Sequence, residues 1–423
     1  MEDLSRLIGA AEQYILRGNL PLADLICRYT IRCHGSSPAV SVLLGKIALE
    51  AELYDYAETY FRQAADADPA NKEATAGLAI AKSRKKSHAA RQVQHRASRG
   101  DPGELPRFLL IKAWGFGFWS DMDHVLGQLL LAEISGRVPV VHWGDNSLFR
   151  GPDCDNAFEA FFEPVSAYTL EDVRRQSTNF FPPKWTPANL HANNINKLDG
   201  PYSRIAGFQL LDRPEDAVVS DFYTYLNDIV PWIQDASTYH GIGTQELYRH
   251  VAHKYIKPVP AIAARIETFW SSHLAGRRPL AVHVRGGDKF NESYHLHEAN
   301  KAYHAKIAEF LGAGRCDMIF LLTDSARVLD DFIRRYGERL VYTDCARTDS
   351  DTGVHHQPRA NPQQTGIEVV MDAYLAARCA CFIGNGHSNV STSILHLRDW
   401  KDDETVLIGE NMLMQPSFLL HKR

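Results

Sequence analysis

The sequence lacks the features that mark exported, membrane-embedded or nucleic-acid-binding proteins. Its first residues include acids where a signal peptide carries Lys or Arg, and no stretch reaches the about 18 apolar residues of a membrane span. Acidic residues outnumber basic ones and the net charge is −5, so no overall positive field exists to hold a polyanion. We therefore predict a protein that is neither exported nor embedded in a membrane and that does not take nucleic acid as its partner.

Cysteine is scarce and scattered. The 423 residues contain 7 cysteines, with no C-x-x-C pair and no metal-ligand spacing. An odd, dispersed set in a long chain is typical of reduced thiols, which favours the cytoplasm and argues against a metal site. The apolar share of 45% and the charged share of 23% are those of an ordinary globular protein, so a sizeable core is expected.

The first eighty residues contain an internal repeat with a period of 34 residues, clearest from 38 to 71. Small and large residues alternate there as in two closely packed helices followed by a proline: Leu44, Gly45, Ala48, Ala57, Phe61, Ala64 and Pro69. A weaker copy precedes it, and a third unit with one helix begins at Leu78. The pattern resembles the tetratricopeptide repeat (TPR) and predicts a helical domain over residues 1–85. Such repeats either pack or pair with one another, or recruit an acceptor protein.

A basic segment follows the repeats. From residue 82 to residue 107 there are eight Lys or Arg against two acids, and Pro102, Gly103 and Pro106 interrupt the end of the segment. A solvated linker or a helix extension explains this composition, and a docking strip for anionic lipid or phosphate is the alternative. We place a linker at residues 86–106.

The remainder shows the alternating strands and helices of α/β folds, in two halves. Residues 107–275 and 276–423 are predicted to form an N-terminal and a C-terminal Rossmann-like lobe, with a ligand cleft at the carboxyl ends of the strands. The irregular stretch from 150 to 275 predicts long loops. In the first half, Gly115 and Gly117 follow a strand, but Ser120 stands where a dinucleotide fingerprint has a third glycine, so a nicotinamide site is not supported. These glycines either admit a ligand to the amides of a helix N-terminus or form a tight turn.

The C-terminal half carries polar groups at strand ends. In the strand LAVHVR, His283 and Arg285 share one face, and glycines at 286 and 287 leave room for an anion. Asp324 ends another strand, and Asp372 lies one helical turn after Glu368. These carboxylates either accept hydrogen bonds from a nucleotide or serve as caps and surface groups.

A further strand in this half leads into His387 and Ser388. Small hydroxyl residues and free amides at the start of a helix can form an anion seat, and N-capping is the alternative.

Together these motifs resemble the GDP-fucose-dependent fucosyltransferases, above all the α1,6 group. The residues that carry the resemblance are HVRGGDK at 283–289, LLTD at 321–324, MDAYLAARC at 371–379 and FIGNGHSNVS at 382–391. The resemblance implies a two-lobed GT-B type fold after the TPR-like region. It also implies an inverting, metal-independent transfer of fucose from GDP-fucose to a glycan or protein acceptor, with no cofactor. Transfer from another nucleotide sugar, or a non-catalytic TPR adaptor with a degenerate nucleotide-sugar fold, are the alternatives.

The resemblance also implies roles for individual residues. Arg285 would bind the β-phosphate, with His283 beside it on the nucleotide, and Asp324 would lie near the ribose or phosphate. Asp372 would hold the guanine edge and Ser388 the diphosphate. The remaining candidates are Lys289 and His387 at the diphosphate, Gly115 and Gly117 at the ligand, and Glu292 or, second, Asp288 as general base. Gly286 departs from the family pattern, which has a second arginine there. The residues do not indicate an oligomeric state.

Overall fold

The computed structural model describes the chain except for twelve segments. These are residues 1–2, 18–19, 51–53, 98–104, 194–212, 221–222, 231–232, 234–236, 287–295, 349–353, 355–360 and 410–423. The described residues form a helical region at the N-terminus and two α/β lobes after it.

The N-terminal region is helical and has its own core. Its helices are α1 (Leu4–Leu16), α2 (Leu20–His34), α3 (Pro38–Glu50), α4 (Tyr54–Ala67) and α5 (Lys72–Ala97). The Phe61 ring fills the space that Gly45 and Gly77 leave, because a Cβ at either glycine would lie 2.9 Å or less from ring atoms. The small and large residues of the repeat pattern are thus buried against one another, while the assignment to TPR repeats stays a prediction. Residues 86–97, predicted as linker, continue α5, which is the helix-extension alternative.

The first lobe is built on a four-stranded parallel sheet. Its elements are β1 (Phe108–Lys112), α6 (Phe118–Ser135), β2 (Val138–His142), α7 (Leu170–Gln176), β3 (Phe180–Phe181), β4 (Ala217–Val219), α8 (Leu226–Ile229), α9 (Thr244–Tyr255) and α10 (Pro260–His273). The strand order is β2-β1-β4-β3, and each pair is parallel. The strand, glycine turn, helix and strand predicted for the start of this lobe are present as β1, α6 and β2.

The prediction of long loops between 150 and 275 is wrong for much of that segment. Helices α9 and α10 lie there, and both turn a row of apolar residues into the core, including Leu247, Val251, Ile262 and Ile266. Their apolar residues recur with helical spacing, which the surrounding Pro- and Asn-rich sequence obscured.

The second lobe is a five-stranded parallel sheet with helices between its strands. Its elements are β5 (Pro279–His283), α11 (Leu296–Gly312), β6 (Met318–Leu322), α12 (Ala326–Tyr336), β7 (Leu340–Tyr342), α13 (Pro362–Arg378), β8 (Cys381–Asn385), α14 (Asn389–His396) and β9 (Thr405–Ile408). The order β7-β6-β5-β8-β9 places β5 in the centre of the sheet, so its carboxyl end is flanked by those of β6 and β8. Two parallel sheets with intervening helices agree with the predicted two-lobed α/β fold.

The two lobes share one apolar core. A single cluster of buried side chains includes Leu109 and Leu129 of the first lobe together with Phe320 and Phe382 of the second. Helix α14 also bonds across the interface, because Gln245 Nε2 on α9 donates to the Leu395 carbonyl at 2.9 Å. These contacts hold the carboxyl ends of the second sheet next to the N-terminus of α6.

Candidate functional site

A cavity of about 170 Å³ lies between the lobes at the carboxyl ends of β5 and β6. It is several times larger than the about 30 Å³ that one water occupies, so it admits a sizeable chemical group. Six of the residues predicted to bind the ligand line it: Gly117, His283, Arg285, Asp324, Asp372 and Ser388. Parallel strands bring their carboxyl ends to one edge of the sheet, which is why motifs some forty residues apart along the chain meet here.

Arg285 and Asp324 form an ion pair in the cavity wall. The guanidinium Nη1 contacts Asp324 Oδ2, and both side chains are largely buried, with 15% and 18% exposed. The other carboxylate oxygen, Asp324 Oδ1, accepts the backbone N–H of Gly286 at 3.0 Å. Asp324 therefore orients the arginine and ties the end of β5 to that of β6.

Gly286 is tightly enclosed at this junction. A Cβ at position 286 would lie 2.8 Å from the Cβ of Ser325, the residue that caps the N-terminus of α12. Contacts below about 3 Å between such atoms require a shift of the surroundings. Glycine at this position therefore has a packing reason, and the arginine that the family pattern has there would not fit without such a shift.

His283 is buried at the end of β5, and its ring is held by a hydroxyl group. Ser391 Oγ lies 2.7 Å from His283 Nδ1, and the Tyr303 hydroxyl donates to the His283 carbonyl at 2.7 Å. Burial and the nearby Arg285 charge lower the pKa of His283 to about 3. The imidazole is therefore neutral at neutral pH, with one nitrogen as donor and one as acceptor.

Asp372 lines the cavity from α13. Its Oδ1 accepts the Thr343 hydroxyl at 2.6 Å, and burial raises the pKa of Asp372 to about 7. Glu368, one turn earlier and also in the cavity wall, accepts the Ala346 N–H at 3.1 Å. The carboxyl group of Asp372 thus lies in the cavity wall and has a protonation state that changes near neutral pH.

Two helix N-termini, one from each lobe, meet at the cavity. Ser388 is the N-cap of α14 and makes no side-chain capping bond, and no described group bonds its hydroxyl. Asn389 Nδ2 donates to Ser120 Oγ at 2.6 Å, which fastens the start of α14 to the start of α6. The first amides of a helix have no partner within it and carry partial positive charge, so this junction favours a negatively charged group.

Gly115 and His387, predicted at the ligand, are not among the described residues that line the cavity. The Gly115 amide donates to Asp121 Oδ2 at 3.1 Å, and its φ of +96° shows that the glycine forms the tight turn before α6. The His387 ring is directed towards Gly409, whose added Cβ would lie 3.2 Å from it. The tight-turn alternative therefore accounts for Gly115, whereas Gly117 is the N-cap of α6 in the cavity wall.

Three predicted residues lie outside the described part of the chain: Asp288, Lys289 and Glu292. Their assignment as bases or phosphate ligands stays a prediction. Among the residues that are described, no group of three or more His, Cys, Asp or Glu side chains is placed to hold a metal ion.

Several residues of the site were given no individual role from the sequence. Phe149 and Trp119 line the cavity from the first lobe, and Ser391 and Thr343 bond to its polar groups. Ser391 belongs to the FIGNGHSNVS motif and stands three residues after Ser388, but the motif alone did not predict its contact with His283. Phe149 has no such signal, because an irregular segment carries it into the site by tertiary packing.

No described helix is both long enough and apolar enough to span a membrane. No family model matches the chain. In sequence the chain is 28% identical over 132 residues to nodulation protein Z of Sinorhizobium fredii, a match that covers 29% of this chain and 40% of that protein. It is 25% identical over 286 residues to nodulation protein Z of Bradyrhizobium diazoefficiens, covering 63% of this chain and 71% of that protein.

Solved structures with a similar arrangement include fucosyltransferase NodZ from Bradyrhizobium, with a TM-score of 0.46 and 22% identity over 69% of this chain and 92% of that one. POFUT1 in complex with GDP-fucose has a TM-score of 0.46 and 12% identity over 73% of this chain and 99% of that one. In sequence the chain is therefore similar to nodulation protein Z of two organisms, in agreement with the resemblance that the motifs indicate.

Proposed function

We propose that the protein is a glycosyltransferase that moves fucose from GDP-fucose to a glycan or protein acceptor, with inversion at the anomeric carbon and without a metal ion. The observation that carries this proposal is that Arg285, at the end of β5, and Ser388, at the start of α14, line the same cavity. A cationic fork and a helix N-terminus that converge on one space are suited to a diphosphate.

The chemistry needs stabilisation of the leaving group. As the bond between fucose and the β-phosphate breaks, positive charge develops at the anomeric carbon and negative charge on the diphosphate. Arg285, the Ser388 hydroxyl and the amides at the start of α14 supply donors for that charge, and they are in place before the reaction. Transfer by this route needs no metal ion, because these donors stabilise the negative charge on the leaving diphosphate.

The rest of the nucleotide would occupy the wall formed by β5 and α13. Asp372 in its ionised form offers an acceptor to the N–H groups of a guanine edge, and neutral His283 offers a donor to an acceptor atom of the nucleotide. A donor beside acceptors matches guanine, which presents a carbonyl next to two N–H groups.

The acceptor hydroxyl needs a base. Asp324 is engaged by Arg285 and by the Gly286 amide, so it serves as an orienting group. We propose Glu292, with Asp288 as the second choice, as the base that takes the acceptor proton.

Glu292→Gln should abolish transfer and leave GDP affinity within about twofold of wild type, because the base acts on the acceptor.

The first test is Arg285→Ala. We expect loss of at least about tenfold in GDP affinity, measured by calorimetry, and of most fucose transfer from GDP-fucose, because charge-assisted hydrogen bonds contribute about 1.5–3 kcal/mol each. Arg339→Ala is the matched control, since Arg339 is an exposed arginine of the same lobe. Unchanged turnover in the Arg285 variant would contradict the proposed role.

The donor sugar is tested by a panel of GDP- and UDP-sugars, scored by thermal stabilisation and slow hydrolysis. GDP-fucose should give the largest stabilisation, and transfer should persist in excess EDTA. A protein with a degenerate site would show no stabilisation with millimolar GDP. Preference for a UDP-sugar would overturn the proposal of fucose.

A further inference from the structure

Ser391 lies on the first turn of α14, directly behind His283, and is fully buried. Its hydroxyl oxygen has two partners among the described residues, the Asn385 N–H at 2.8 Å and His283 Nδ1 at 2.7 Å. The backbone N–H of Asn385 can only donate, so this bond uses one lone pair of the Ser391 oxygen. The serine proton is left to be accounted for.

The only acceptor that these contacts offer to the Ser391 proton is His283 Nδ1. No described carbonyl or carboxylate bonds Ser391 Oγ, and the side chain has no exposed surface for water. A buried hydroxyl proton without an acceptor costs about 1–3 kcal/mol, so the hydroxyl donates to Nδ1. The neutral imidazole then carries its proton on Nε2.

That Nε2–H belongs to the cavity. His283 lines the cavity, and none of the described residues bonds its Nε2. The hydrogen bond from Tyr303 to the His283 carbonyl and the buried strand β5 hold the backbone, so the ring direction is determined. The backbone N–H of Asn385 thus donates to Ser391, and the Ser391 hydroxyl donates to His283 Nδ1. This leaves the Nε2–H of His283 for a ligand in the cavity.

We propose that Ser391 is a positioning residue that locks His283 in its Nε2–H tautomer and thereby presents a fixed hydrogen-bond donor to the bound nucleotide. The inference rests on the proposed function for its ligand, but the tautomer itself is a property of the free protein. Burial and the charge of Arg285 lower the pKa of His283 to about 3, so the doubly protonated ring does not compete with the neutral form at neutral pH.

The tautomer is tested on the free protein by long-range proton–nitrogen NMR after labelling with ¹⁵N-histidine, with His283 assigned through its absence in His283→Gln. We expect a pyridine-type Nδ1 and a pyrrole-type Nε2 in the wild type. In Ser391→Ala the two forms should mix or invert. Ser393→Ala is the matched control: Ser393 is a buried serine of the same helix whose Oγ bonds to no described group, so its variant should keep the wild-type spectrum. A proton on Nδ1 in the wild type would overturn the inference.

The consequence for binding is tested by a double-mutant cycle with GDP. We expect Ser391→Ala to weaken GDP binding about fivefold to tenfold, Ser391→Thr to retain it, and Ser393→Ala to leave it unchanged. In a His283→Ala background, Ser391→Ala should cause less than about a twofold further loss, because its effect acts through the missing ring.

Equal losses from Ser391→Ala in both backgrounds would show a purely structural role and contradict the positioning. If the extra methyl group of Ser391→Thr does not fit beside Gly384, that variant will not fold. The wild-type NMR spectrum and the cycle with Ser391→Ala still test the inference in that case. Failure of the wild type to bind GDP would refute the proposed function alone, because the NMR measurement needs no ligand.

Discussion

At the scale of single residues, the cavity wall combines a histidine held neutral with a carboxyl group that titrates near pH 7. Both states result from burial, which disfavours the charged form of either group, and His283 has the additional charge of Arg285 beside it. His283 is therefore insensitive to pH between 6 and 8, whereas Asp372 changes charge within that range. The pH dependence of ligand binding consequently reports on Asp372.

We predict that GDP-fucose binds about tenfold more weakly at pH 6 than at pH 8, because the protonated Asp372 carboxyl is a poorer acceptor for guanine N–H groups. Calorimetry at both pH values measures this. GDP-fucose is preferable to GDP, since a terminal phosphate itself titrates with a pKa of about 6.

Asp372→Asn is the control for that measurement. It should bind weakly at both pH values and lose the pH dependence, because the amide does not titrate. Affinity that is flat with pH in the wild type would show that Asp372 does not recognise the base.

At the scale of secondary-structure elements, the site depends on how the end of β5 meets the start of α12. The Gly286 amide bonds to Asp324, and the space in which a Cβ would lie is occupied by Ser325, which caps α12 through its bond to the Val328 amide at 3.3 Å. The sequence identified the strand and the arginine, but the close approach of a neighbouring helix is a tertiary contact. The departure from the family pattern at 286 is therefore explained only by the structure.

Gly286→Ala should destabilise the protein by about 1–3 kcal/mol, the usual cost of overpacking, and should weaken GDP binding by displacing Arg285 or Asp324. Thermal unfolding and calorimetry measure the two effects. Gly312→Ala is the matched control, because a Cβ there meets no atom within 4 Å and the residue ends α11. Equal behaviour of the two variants would contradict the packing argument.

At the scale of the whole molecule, buried neutral histidines are distributed over both lobes and their interface. His142 ends β2, His283 ends β5, and His396 stacks on Tyr248 of α9 with a centroid distance of 3.9 Å. Burial lowers the pKa of His142 to about 4 and those of His283 and His396 to about 3. Each is below the value of about 6.5 that an unfolded chain has, so the unfolded state binds more protons at acid pH.

The protein should therefore lose stability as the pH falls below about 6.5 and towards 4, by up to about 1.4 kcal/mol per pH unit for each histidine. Asp372 has the opposite effect, because its pKa is raised to about 7 and its protonation stabilises the folded state as the pH falls. This gain offsets the loss from one histidine at most. Thermal unfolding at pH 7.5 and 5.5 measures the net loss.

His396→Phe keeps the stacked ring and removes one of these groups. It should show a smaller drop in melting temperature between the two pH values than the wild type. An identical drop would mean that His396 does not titrate with unfolding.

Local sequence patterns predicted many of the elements and part of the cavity wall. Periodicity found β1, α6, β2 and the strands that carry His283 and Asp324, because apolar spacing reflects which face of an element is buried. The motifs named six residues that line one cavity and a resemblance that the sequence matches confirm. Local patterns suffice for this, since strand ends and helix starts are local features.

Tertiary packing sets the contacts and the protonation states of these groups, which local patterns do not predict. The crossing of chain segments far apart in sequence brings Phe149 and Ser391 to the site, occupies the Gly115 amide with Asp121, and encloses Gly286. Burial then sets the protonation of His283 and Asp372. Desolvation and close contact depend on all the atoms around a group in three dimensions. The spacing of residues along the sequence therefore does not predict them.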